Sequence, residues 1–304
     1  MASQRDVKNR IGSVKNIQKI TRAMEMVAAA RLRRAEQRIA ALRPYAQALR
    51  QMTRQAALDA GAEAARLELL NERERTESVG LLLVTGDRGL AGGFNSQVIR
   101  AGVRAGTELA EGGLQTVWYA TGRRGVSSLT FRGRDLSGAY MGFADKPSYA
   151  DAREIANELI EAYTKGALDR VEVIYNAYVS PLTQEVTRET LLPLSRATVA
   201  GEESSPADEP GGGREGGPKA LVEYEPDAEE ILRRLVPDYV ETSIYRALVE
   251  SAAGFFGAQM TAMRNASENA GEIITDLTLE MNRARQAEIT QEIMEVVAGA
   301  EGLS

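Results

Sequence analysis

The 304-residue chain is 43% hydrophobic and 26% charged, ordinary values for a globular protein, and it contains neither cysteine nor histidine. That composition excludes disulfides, thiolate nucleophiles, the common zinc sites and an imidazole base. The formal net charge of −6 hides an asymmetry: residues 1–54 carry 13 Lys and Arg against 3 Asp and Glu, and the remainder carries 24 against 40.

A basic first segment suits nucleic acid, an anionic membrane, an acidic protein surface or simply a solvated helix face, and charge alone does not choose among them. No stretch approaches eighteen consecutive apolar residues, and the opening "MASQRDVKNRIGSVKN" lacks the apolar core of a signal peptide. The chain is therefore expected to remain on the cytoplasmic side without spanning a membrane.

From Ser3 to Leu42 there is no proline and one glycine, and Val7, Ile11, Val14, Ile17, Ile20, Met24 and Val27 recur in steps of three and four. The spacing predicts an amphipathic helix whose apolar row faces another helix. The alanines of "AAARLRRAEQRIAAL" suit a close approach. Pro44 is expected to bend or interrupt the helix, with helical composition continuing to about Asp59.

Residues 78–198 read as a domain of alternating strands and helices. "VGLLLVTG", "QTVWYATG" and "VEVIYNAYVS" are strand-like, and Asn95–Ala110 and Ser148–Tyr163 are helical. Such alternation predicts an α/β fold with a mainly parallel, Rossmann-like sheet, and "QEVTRETLLPL" reads as a strand returning along one edge. Residues 199–219, rich in Gly, Pro, Ser and acids, cannot bury much apolar surface and are expected to form a flexible acidic loop.

The stretch Asp238–Ala298 is again free of proline, with Ile244, Leu248, Phe255, Met260, Met263, Ile273, Leu277, Met281, Ile293 and Val297 at broadly helical spacing. One helix of that length would extend roughly 90 Å at 1.5 Å per residue, beyond any sheet domain of this size. Gly254, Gly257 and Gly271 would each cost about 1 kcal/mol against alanine, so a partner must hold it. The long helices at the two chain ends are expected to wind into an antiparallel coiled coil. The predicted division is 1–58 for the N-terminal coiled-coil helix, 78–198 for the sheet domain, 199–219 for the loop and 228–302 for the C-terminal coiled-coil helix.

A glycine-rich turn follows the first strand: Gly86-x-x-Gly89-x-x-Gly92-Gly93 within "LLLVTGDRGLAGGFN". It matches neither G-x-G-x-x-G nor the P-loop pattern, and no lysine follows to reach a phosphate. The second strand ends in "YATGRRG", where a dinucleotide site would place an acid for the ribose. Steric need at a tight strand-to-helix turn explains the glycines more simply. A nucleotide-dependent enzyme and a coiled-coil adaptor are competing readings.

Four segments together carry a family resemblance. "NIQKITRAMEMVAAARLRRA" (16–35), "TGDRGLAGGFN" (85–95), "YEPD" (224–227) and "NRARQAEITQEIMEVVAGA" (282–300) closely resemble the gamma subunits of F-type ATP synthases, in order and over essentially the whole chain. The resemblance implies a central-stalk rotor whose terminal helices turn inside a hexamer of alternating alpha and beta subunits, the C-terminal helix reaching deepest. It places the Rossmann-like domain beside the epsilon subunit and the membrane c-ring, at the cytoplasmic face of the cell inner membrane. It also implies coupling of proton or other ion flow to ATP synthesis or hydrolysis at beta, with no catalytic, cofactor-binding or metal-ligating residue in this chain and no nucleic-acid partner.

Residue by residue, "RARQAEIT" is similar to the family's polar catch, so Arg285, Gln286 and Thr290 are expected to hydrogen-bond acidic loops of beta. Met24 falls at the position near the acidic lever loop of beta, beside the basic Lys19 and Arg22. Arg88 in the "DRGL" turn is expected near the same acidic region. Ala91 stands where the family usually has cysteine, and the absence of cysteine excludes the paired-cysteine regulatory insert of the chloroplast branch.

Overall fold

The computed structural model describes residues 4–61, 67–71, 73, 75–194 and 227–301. The predicted acidic loop 199–219 and most of the "YEPD" segment lie outside the described residues. Helix α1 runs Gln4–Ala60 and helix α5 runs Ala228–Glu301. Between them come β1 (Ser78–Val84), α2 (Phe94–Glu111), β2 (Gln115–Thr121), α3 (Arg123–Phe131), β3 (Leu136–Tyr140), α4 (Tyr149–Thr164), β4 (Arg170–Tyr178) and β5 (Gln184–Leu192).

The chain divides into two compact units, one of Met1–Ala29 with Gln259–Ser304 and one of Ala30–Ala258. In the second unit the strands form a five-stranded sheet in the order β3-β2-β1-β4-β5. All neighbours are parallel except β5, which runs antiparallel to β4 along the edge. This is the α/β sheet expected from the alternating pattern. Sequence reading missed α3 and β3: "RRGVSSLTF" and "LSGAY" are too short and too polar to show a period of their own.

Both faces of the sheet are covered. On one, Leu82, Val173 and Tyr175 pack with Ile155 and Leu159 of α4, Ala56 of α1, and Leu232, Val236 and Val240 of α5. On the other, Leu81, Leu83, Trp118 and Ile174 pack with Val98, Ala105 and Leu109 of α2 and Leu129 of α3. Strands buried on both faces need unbroken apolar runs, which is why "VGLLLV" does not alternate. Each leucine or isoleucine fully removed from water stabilises the fold by about 1.5–3 kcal/mol. Helix α4 starts sharply because Ser148 Oγ accepts from the Asp151 N–H while Asp151 accepts from the Ser148 N–H, a capping box.

Two prolines lie inside the long helices: α1 continues through Pro44, and α5 begins ahead of Pro237 and passes through it. A proline in a helix interior costs about 3 kcal/mol. Leu232, Val236 and Val240 are at most 1% exposed, and their burial on either side of Pro237 offsets that cost.

In the first unit α1 and α5 run side by side and antiparallel. Val7 and Ile11 pack with Leu277, Gln18 Nε2 donates to the Ser267 carbonyl at 3.2 Å, and Glu25 pairs with Arg264 at 2.9 Å, so numbers fall on α5 as they rise on α1. The α1 seam is Val7, Ile11, Val14, Gln18, Thr21, Glu25 and Ala28, a strict 4-3 spacing. This corrects the apolar row expected from sequence. Ile17, Ile20 and Val27 are more than half exposed, because they sit one residue back from the seam and about 100° around the helix. Small and polar side chains fill the middle of the seam because the helices come close there: a Cβ on Gly271 would stand 3.2 Å from Gln18 Nε2.

Candidate functional site

At the carboxyl ends of β1, β2 and β3, the turn after β1 is tied to its neighbours by its own side chains. Asp87 accepts from the backbone N–H groups of Arg123 at 3.0 Å, Gly142 at 3.0 Å and Ala144 at 3.1 Å. Thr85 Oγ1 accepts from the Gly125 N–H at 2.8 Å, and the Gly86 carbonyl accepts from the Arg124 N–H at 3.2 Å. The first N–H groups of α3, which could otherwise receive a phosphate, are thus taken, and a carboxylate stands where the anion would have to come.

The turn is closed further by Asn95, whose Oδ1 accepts from the Gly86 N–H at 2.8 Å and whose Nδ2 donates to the Arg88 carbonyl at 3.0 Å. Phe255 of α5 covers the turn from above, edge-on to Phe94 at 5.7 Å, and a Cβ on Gly86 would meet its ring at 3.0 Å. Gly122, with φ of 81°, lets the start of α3 pass so near that a Cβ would lie 2.1 Å from the Thr85 carbonyl oxygen. The glycines are architectural. Among the described residues no group of three or more Asp and Glu is placed to hold a metal ion.

Arg88 leaves the same turn with 68% of its side chain exposed, 3.7 Å from Asp145, which Arg31 holds more closely at 3.0 Å. Arg31 also lies over the Phe256 ring at 5.7 Å. An exposed pair at 3.7 Å contributes about 0–1 kcal/mol, so Arg88 can leave it for a better partner at little cost. Beside it Leu90 adopts φ of 65° and is 63% exposed.

The helical pair carries the other expected residues. Met24 is half-buried, next to the seam residue Glu25, while Lys19 and Arg22 are exposed. Arg285, Gln286 and Thr290 are all exposed on α5, with the Thr290 hydroxyl donating to the Gln286 carbonyl at 2.9 Å. They lie beyond Met281, the last α5 residue packed against the Val7 and Ile11 cluster. From there α5 runs on to Glu301, roughly 30 Å at 1.5 Å per residue, past the described α1 residues of that cluster. That explains why Ile293 and Val297, expected in an apolar row, are exposed at 56% and 47%. Sequence reading also missed the exposed carboxylates Glu268, Glu272, Asp276 and Glu280, whose spacing of four aligns them on one side of α5. The pair is therefore electrostatically two-sided, basic along α1 and acidic along α5.

A profile of the ATP synthase family matches residues 3–303. An ATP synthase gamma chain of Rubrobacter xylanophilus is 44% identical over 304 residues, covering all of this chain and 99% of its own length. The chain belongs to the ATP synthase gamma-chain family. Gamma chains are the non-catalytic central-stalk rotor subunits of F-type ATP synthases, and this one is so by the same match. The gamma chain of Streptomyces coelicolor is 42% identical over 307 residues, covering all of this chain and 97% of that protein. Among solved structures, a chain of the Euglena gracilis mitochondrial ATP synthase aligns with a TM-score of 0.64 at 15% identity, over 99% of this chain and 94% of that one. A chain of the Tetrahymena thermophila mitochondrial ATP synthase central stalk and c-ring aligns with a TM-score of 0.59 at 23% identity, over 82% and 99%. These two distant likenesses establish the fold. No helix among the described residues is long and apolar enough to cross a membrane.

Proposed function

We propose that this gamma chain couples ion flow through a membrane c-ring to ATP synthesis or hydrolysis by turning its helical pair inside an alpha3beta3 hexamer. The observation that carries the reading is the two-sided pair itself, with α5 running on past Met281 through residues 285–298, all exposed, among them Arg285, Gln286 and Thr290. Three chemically identical beta subunits can differ only if the shaft offers each of them a different face. Moving a two-state site from 1:99 to 99:1 takes about 5.5 kcal/mol of differential contact.

Contacts that break at every step must be weak, and exposed charge pairs worth about 0–1 kcal/mol meet that need better than buried ones costing 3–5 kcal/mol to break. The exposure of Arg285, Arg88, Lys19 and Arg22 supports this. In this reading Arg285 presents its planar fork to a beta carboxylate with Gln286 and Thr290 beside it, and Met24 and Arg88 lie against the acidic lever of beta. The segments 1–58 and 228–302 serve as the shaft. The segment 78–198 is the foot beside the epsilon subunit and c-ring at the cytoplasmic face of the cell inner membrane.

The test is ATPase activity after mixing the purified chain with alpha and beta subunits, with each component also assayed alone. Activity that rises strongly only in a complex of three alpha, three beta and one of this chain is expected. Turnover by this chain alone, or the failure of any complex to form, would overturn the reading.

A further inference from the structure

The arginines of the sheet domain divide sharply by location. Those on or beside β1, α4, β4 and β5 are paired with carboxylates: Arg73 with Asp169, Arg88 with Asp145, Arg153 with Glu241, and both Arg170 and Arg188 with Glu172. Those on α2, α3 and the turn after α3 are Arg100, Arg104, Arg123, Arg124, Arg132 and Arg134. All of these are exposed, and no carboxylate among the described residues pairs with any of them. From Gly122 to Arg134 the chain has four of these arginines and no acid, in a protein that is acidic outside its first helix.

At the end of α3, between these charges, Phe131 is 91% exposed, the highest value among the large apolar side chains of the described residues. Its ring is held out to solvent by its position as the last helical residue, after which Gly133 at φ of 69° turns the chain back into β3. Arg134 folds over the Trp118 ring at 5.7 Å, so part of the layer is held in place before any partner arrives.

We propose that the α2–α3 layer is a docking surface for an acidic protein surface with an apolar pocket for the Phe131 ring. Arginine forks suit carboxylates, and an aromatic anchor ringed by arginine is the usual composition of an energetic centre in a protein interface. An anionic lipid surface fits less well, because Phe131 is the only large exposed apolar side chain on α2 and α3 and stable membrane anchoring takes more than one such element. The inference rests on the reading of the chain as one subunit of a larger complex and names a face of the sheet domain that such a complex would cover.

The test uses the full chain assembled with its separately purified synthase subunits. With Phe131→p-benzoylphenylalanine, irradiation of the active complex is expected to join this position to an acid-rich segment of another subunit. For that subunit, Arg132→Glu with Arg134→Glu should weaken binding by about tenfold or more at roughly 0.05 M salt, and most of the difference should vanish at roughly 0.5 M, where screening is short-ranged. Arg132→Gln with Arg134→Gln, which removes charge without adding repulsion, should give a smaller loss in the same direction. An active complex with no cross-link at 131, a cross-link only to lipid or nucleic acid, or unchanged affinity in both double variants would overturn the inference while leaving the rotor reading intact. Failure of the native chain to form an active complex would overturn the rotor reading instead, and this inference with it.

Discussion

Replacing Asp87 with alanine tests whether the glycine turn is built as a closed brace. The carboxylate collects three backbone N–H groups from the start of α3 and from the segment after β3. A hydrogen bond to a charged group contributes about 1.5–3 kcal/mol, and the two at exposed N–H groups belong at or below the low end because water replaces the lost acceptor. Summed with the part-buried bond from Ala144, Asp87→Ala should destabilise the sheet domain by about 3 kcal/mol.

The single tryptophan makes the assay direct. Trp118 is 4% exposed in the core beneath α2, so its fluorescence reports unfolding of this domain. With a urea slope of about 2 kcal/mol/M the midpoint should fall by about 1.5 M. Asp87→Asn, which keeps one oxygen acceptor, should fall by about half as much. A midpoint shift below about 0.3 M for the alanine variant, or equal shifts for both variants, would refute the brace and reopen the turn to a ligand.

Two glycines should respond to alanine in opposite senses. Gly12→Ala in α1 meets nothing within 4 Å and should stabilise by up to about 1 kcal/mol, whereas Gly257→Ala would set a Cβ 2.7 Å from the Pro181 carbonyl oxygen and should destabilise by about 1–3 kcal/mol despite better helix propensity, both read from urea midpoints. Arg285→Ala with Gln286→Ala should lower coupled ATP synthesis or assembly yield while leaving nucleotide affinity at beta intact, and native synthesis with native yield would remove these residues from the catch. If the exposed bases of α1 select rotor angles by long-range attraction, dwell angles and stall torque should change as salt rises past about 0.1 M, and indifference to salt would count against it. Burial alone would raise the Asp169 pKa, but the N–H groups of Ser78 and Glu77 and the Arg73 charge outweigh it and hold it below the ordinary carboxylate value. Its stabilisation is complete above the unfolded pKa near 4 and is lost as pH falls through the lower folded value, so Asp169→Asn should flatten the acid limb of a stability profile against pH.

Long elements were legible because periodicity accumulates over many residues: the two terminal helices, the runs of β1, β2 and β4, and the returning edge of β5 could all be read from patterning. Helix α3 and strand β3 could not, since nine and five residues with two buried positions each give no period. The seam of α1 misled for a specific reason. Its middle positions are Gln18, Thr21 and Glu25, while a more hydrophobic row at Ile17, Ile20 and Val27 faces outward, and only a partner's backbone at hydrogen-bonding distance reveals which row is inside. The contact residues came from motif resemblance, because an exposed arginine such as Arg285 carries no patterning signal. The unpaired arginine layer was invisible for the converse reason: its distinction from other arginines is a missing partner, and pairing is a property of space.

The side chains that close the turn after β1 also bear on how this subunit carries load. Asp87, Thr85 and Asn95 tie the turn after β1 to the starts of α2 and α3 and to the segment after β3, as rivets hold a plate at several edges. A push received at that turn therefore passes into the sheet instead of being spent in bending a loop, which suits a part whose work is to carry load.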